Sequence, residues 1–174
     1  MNTPWTEADR DTTLKAIGFA NRQIVTAWTE REPERDIPWT ALTKPLSEAR
    51  VAVVSTAGLA MADDEPFDQE GERRNPWWGD PSFRVLPREA RTGSVRCYHM
   101  HIDTSVPERD LDSVMPLARL AELASDGFVG ASAPSHYSFM GYILKEKELL
   151  ERSAPAMIRQ MKAEDVDAVL LVPV

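Results

Sequence analysis

The chain has 174 residues, enough for one domain with its own core, and 28 acidic against 20 basic side chains leave a net charge of -8. That balance, with no basic cluster longer than Arg73–Arg74, argues against nucleic acid and anionic membrane surfaces as partners. There is no apolar run of membrane-spanning length, the amino terminus "MNTPWTEADRD" is acidic where a signal peptide would be basic, and the single cysteine, Cys97, offers neither an internal disulfide nor a cysteine-based zinc site. The expectation is a cytoplasmic protein.

In chain order, Thr6 to about Glu30 reads as an amphipathic helix. Thr6 caps it, and Leu14, Ile17, Ile24, Val25 and Trp28 recur at helical spacing before Pro33 ends it. A proline-punctuated linker follows, so residues 1–43 form a helix and linker and residues 44–174 form the α/β domain. "RVAVVSTAG" reads as a strand closing on a tight turn at Gly58. Residues 61–81, rich in acids, Pro and Gly with Trp77 and Trp78 among them, read as a long loop that packs back on the domain.

"FRVLP" and "VRCYHMHI" are two further strands. In the second, Val95, Cys97, His99, His101 and Asp103 share one face by the period of two. Asp112 or Ser113 starts a helix that Gly127 stops in the left-handed conformation. A very short strand comes next, then a small-residue loop that holds His136. A helix beginning near Ser138, a second one opened by Pro155, and a strand "DAVLLVPV" complete the chain. Ala168 to Val172 are apolar without interruption, as in a strand buried on both faces of a parallel sheet. Helices alternating with strands predict a three-layer α/β sandwich around a mainly parallel, Rossmann-like sheet, incomplete at its C-terminal end.

Three groups of residues could carry chemistry. His99, His101 and Asp103 supply two imidazoles and a carboxylate, but along one strand they spread over roughly 13 Å, too far to converge on one ion, so no metal is expected. His136, at the sheet edge where α/β sites lie, could move protons or could tie down loop carbonyls. The turn Ser55–Gly58 offers hydroxyls and N–H groups to a carboxylate. No phosphate-binding fingerprint occurs, and Cys97 reads as a small buried hydrophobe.

Taken together, "KPLSEARVAVVSTAG", "HMHIDTS", "MPLARLAELASDGFVGASAPSHYSFMG" and "MKAEDVDAVLLVPV" resemble the selenoprotein B family of glycine, sarcosine, betaine and D-proline reductases, with a length closer to the short D-proline type. In that family a strand similar to "VDAVLLVPV" is followed at once by a selenocysteine or cysteine. The resemblance therefore implies that the gene reads on through a UGA codon after Val174 and that the nucleophile is absent from this chain.

It implies reductive cleavage of a carbon–nitrogen bond in a small amine or carboxylate substrate, no cofactor in this chain, a pyruvoyl group on a partner subunit, a dithiol or thioredoxin-like reductant, and a homo-oligomer. His136 would assist proton transfer, Ser55 and Thr56 would hold the substrate carboxylate beside Gly58 and Ser138, and His101 and Asp103 would shape the pocket. The alternative is a non-catalytic small-molecule-binding or assembly module that uses the same crevice.

Overall fold

The computed structural model describes residues 40–174 except 76 and 77, together with Gln23, Thr26, Ala27 and Glu30, whose backbone is helical. The chain divides into two units, Met1–Thr40 and Ala41–Val174, and the fold below is that of the second. The expected helix over 6–30, with its stripe from Leu14 to Trp28, lies largely outside the described residues, as does Trp77.

Strand β1 (Arg50–Ser55) is the spine of the sheet, and its valines make it so: Val51 and Val53 face one core while Val54 faces another. One side of β1 is covered by β7 (Ala168–Val172), which runs parallel to it and pairs from Val51↔Ala168 to Ser55↔Val172. The other side carries β5 (Ala131–Ser132) and β6 (Ser135–Phe139), also parallel. Arg50 pairs with Ala131 and Val54 with Tyr137, so four steps along β1 match six along its neighbour and two residues bulge out. Strand β3 (Phe83–Pro87) closes that edge antiparallel to β6. A separate ribbon pairs β2 (Leu59–Met61) with β4 (Val95–Cys97).

Short helices α1 (Gln69–Arg74) and α2 (Ser105–Arg109) lie in the connections. Helix α3 (Leu117–Ser125) buries Leu117 and Leu120 with Val51 and Val53. Helix α4 (Ala154–Ala163) buries Met157 and Met161 with Val54 and Tyr137. The result is a mixed α/β fold on a mainly parallel sheet.

Several expectations need correction. The strand from Val95 stops at Cys97, because the chain turns there, so His99, His101 and Asp103 do not share a strand face. The loop over 61–81 contains helix α1, capped by Asp68, whose side chain accepts from the Gly71 N–H at 2.8 Å. No helix begins at Ser138, which lies inside β6; helical backbone starts only at 147 and passes through a wide turn, Leu149–Ser153, directly into α4. Pro155 has no N–H to give a tighter ladder, so it sits just inside α4 without opening a separate helix.

Strand β7 departs furthest. Val169, Leu170 and Leu171 are 41%, 44% and 70% exposed, because among the described residues no strand pairs with its outer edge. An apolar groove of about 360 Å³ opens beside it, lined by Val54, Leu150, Met157, Ile158, Val169 and Leu171.

Candidate functional site

The carboxyl ends of β1 and β7 meet the turn that follows β4. Beyond Ser55, the Thr56 N–H donates to Val172 O at 3.1 Å, which carries the parallel pairing one residue past the strand. The Thr56 hydroxyl then accepts from the Val174 N–H at 2.8 Å and donates to the Val174 carbonyl at 3.3 Å. Gly58 reverses the chain with φ at +60°, its N–H donating to Phe139 O at 3.0 Å. Gly141 completes the junction, since a side-chain carbon placed on it would stand 2.8 Å from His99 Nε2, 2.9 Å from Val174 O and 3.0 Å from Thr56 O.

His99 is 5% exposed, and its Nδ1 accepts the backbone N–H of His101 at 3.1 Å. A neutral ring in that bond carries its hydrogen on Nε2, the atom facing Gly141. Burial, and then the neighbouring His101, lower the His99 pKa, which keeps the ring neutral near pH 7. His101 leans edge-on to His99 with centroids 5.8 Å apart and lies 4.6 Å from the Tyr142 ring. Behind it, Glu72 Oε1 is 3.2 Å from His101 Nε2.

The other expected site residues lie elsewhere. His136 is fully buried within β6, not in a loop. Its Nδ1 accepts the Val53 N–H at 2.9 Å and its Nε2 is 3.0 Å from Ser132 Oγ. Where Ala133 and Pro134 bulge out of register, the imidazole takes the place of a missing backbone acceptor for β1. Burial and the nearby Arg88 guanidinium lower its pKa to about 4. Ser55 and Ser138 are likewise fully buried: Ser138 Oγ donates to Ser55 O at 3.0 Å and accepts from Leu59 N at 2.9 Å, while Ser55 Oγ accepts from Ala57 N at 3.2 Å. Asp103 is exposed; hydrogen bonding from the Ser105 hydroxyl, and then from the Ser105 N–H at 3.0 Å, draws its carboxyl pKa down. Cys97 Sγ donates to Ala57 O at 3.2 Å, and burial raises its thiol pKa.

Thr56, Gly141 and His99 thus gather at Val174, with Gly58 beside the His99 backbone and His101 beyond the His99 ring, whereas His136 is anchored at Val53, three residues or about 10 Å back along β1. The order of the histidines is the reverse of the expected one: His99 is at the edge and His136 is deep. Glu72, Gly141 and Tyr142 were missed. Only "MGY" carried a signal, a glycine directly after a strand that allows close backbone approach; a buried Glu72 is invisible in the acidic run "DQEGERR". Among the described residues, no group of three His, Cys, Asp or Glu is placed to hold a metal ion.

The fold and this junction define an α/β protein whose polar groups converge at the carboxyl edge of a parallel sheet, where such folds place their ligands. The profile of the glycine/sarcosine/betaine reductase selenoprotein B family matches residues 20–174, and the chain belongs to that family. It is 36% identical over 133 residues to the D-proline reductase subunit gamma of Acetoanaerobium sticklandii, an overlap covering 76% of this chain and 52% of the relative. To the betaine reductase complex component B subunit beta of Peptoclostridium acidaminophilum it is 28% identical over 129 residues, covering 74% of this chain and 28% of the relative. The chain therefore spans about half the length of the first relative and about a quarter of the second. No solved structure matches it.

Proposed function

We propose that this chain is part of a selenoprotein B-type reductase subunit that cleaves a carbon–nitrogen bond in a small amino-acid-type substrate at the carboxyl edge of the β1–β7 sheet. The observation that carries the reading is the meeting of Thr56, Gly141 and His99 at Val174 in a chain of this family. By resemblance, a selenolate or thiolate directly after a strand like β7 supplies the nucleophile, a partner subunit's pyruvoyl group activates the amine, and a dithiol regenerates the nucleophile.

The residues of this chain then bind and orient. Thr56 holds the end of β7 in place, and the Nε2–H of His99 offers a donor to a substrate carboxylate beside it. His101 and Tyr142 form one wall. Ser55 and Ser138 serve from beneath, since their hydroxyls are spent on backbone groups. His136 has a structural task in this reading, because both ring nitrogens are already engaged. The bare apolar edge of β7 supports association in a homo-oligomer or with partner subunits.

The test is co-expression of the gene, with its downstream frame and selenium supplied, together with a pyruvoyl-type partner. Dithiol-dependent cleavage of D-proline, glycine or betaine is expected. A selenium-loaded complex that cleaves none of them, while the chain still binds such an amine, would leave the binding module as the better reading.

A further inference from the structure

Glu72 poses a problem that folding alone does not answer. It is the second acidic residue of the six-residue helix α1, yet only 2% of it is exposed. One carboxylate oxygen faces His101 Nε2 at 3.2 Å; the other, Oε2, is buried without any hydrogen-bond partner. Desolvation pushes its carboxyl pKa up, against the hydrogen bond and charge of His101, and the nearby Asp80 adds to the rise while Arg73 opposes it. Asp80 is itself engaged, its oxygens accepting from Asp68 N and Ser82 N at 2.9 Å each.

A clip between α1 and the turn after β4 already exists, because Gln69 Nε2 donates to Tyr98 O at 2.7 Å. A neutral side chain suffices for that task, whereas a buried carboxylate with an unsatisfied oxygen is costly to keep. The charge is explained by what it does to His101.

We propose that Glu72 is a positioning residue that fixes His101 as a base, holding its Nε2–H so that the Nδ1 lone pair is presented at the carboxyl edge beside Tyr142 and His99. A carboxylate only accepts hydrogen bonds, so the ring hydrogen stays on Nε2 and the lone pair stays on Nδ1. The imidazole is half-exposed, with 51% of its side chain open to solvent, and among the described residues no hydrogen bond falls on its Nδ1. An ammonium group entering the site transfers one proton to Nδ1, leaving a neutral amine able to react and an imidazolium paired with Glu72.

This inference rests on the amine-substrate reading above, and its test separates the two. The full chain is prepared with ¹⁵N-labelled histidine as wild type, Glu72→Gln and Glu72→Leu, with thermal unfolding checked for each. The imidazole nitrogen spectrum near neutral pH should show the Nε2–H form of His101 in wild type, and a mixture of both tautomers in Glu72→Gln, whose amide can donate as well as accept, and in Glu72→Leu. An Nδ1–H ring in wild type, or the same spectrum in all three proteins, overturns the proposal whatever the substrate is.

In the reconstituted complex, Glu72→Gln should lower kcat by roughly ten- to a hundred-fold with KM within about two-fold, and Glu72→Asp should restore part of it. Unchanged kcat in Glu72→Gln also overturns it. If the wild-type complex cleaves no amine, the functional reading fails and the tautomer spectrum alone decides the role of Glu72.

Discussion

The backbone N–H of Val174 donates to Thr56 Oγ1 at 2.8 Å across 118 residues of sequence, so one hydroxyl on the β1 turn sets where the chain leaves β7. Thr56→Val keeps the shape of the side chain and removes that acceptor. Amide exchange at Val174 should then quicken by about ten-fold, in line with roughly 1 kcal/mol for one hydrogen bond, while Ala168–Leu170 stay protected. Equal exchange at Val174 in both proteins would show that the hydroxyl does not hold the strand end.

Gly58 is required for two reasons at once, since φ is +60° and an added methyl would overlap Met140 Sδ. Gly58→Ala should destabilise the protein by roughly 1–3 kcal/mol. The measurement is the urea midpoint at constant slope, and a midpoint within error of wild type would contradict the turn geometry.

The buried His136 makes stability depend on pH. Its folded pKa of about 4 lies below the ordinary 6.5, so between those values the unfolded chain binds the extra proton and folding weakens as pH falls. Stability should be flat above about pH 6.5 and decline by up to about 3 kcal/mol toward pH 4. His99, whose pKa is also lowered, acts in the same direction. His136→Asn keeps an acceptor for the Val53 N–H and removes the titration, so its stability curve should be flatter across that interval. A decline as steep as that of wild type would place the titrating group elsewhere.

Much of the sheet was legible because its strands are written in β-branched runs closed by turn residues. "RVAVVS", "FRVLP" and the final "AVLLV" became β1, β3 and β7, and Gly127 stops its helix with φ at +77°. The misreadings share a cause. "SHYSF" looks like a loop because its serines and histidine are polar, but His136 and Ser138 each satisfy a backbone group inside the sheet and Ser135 donates to the Glu164 carboxylate, which composition does not reveal. "YHMHI" has strand periodicity, yet the chain turns after Cys97, and the two histidine rings end up edge to face. The carboxyl-edge location followed from topology, whereas its residues depended on long-range pairings such as Thr56 with Val174.

Leu171 is 70% exposed on a strand with an open edge. Leu171→Lys should reduce association without loss of helix α4 or of β1 pairing, because the side chain is 70% exposed at the lip of the groove beside α4 and a lysine stem can reach solvent from there. Light scattering at micromolar concentration should show a smaller species for the variant than for wild type. A monomeric wild-type protein that binds no apolar dye would remove β7 as an interface.

The most direct measurement is the intact mass and selenium content of the subunit purified from selenium-fed cells that express the gene with its downstream frame. The proposed function predicts a subunit that carries one selenium, or a reactive thiol in its place, and is alkylated there only after dithiol reduction. An active reductase whose subunit contains no selenium or reactive thiol would contradict it.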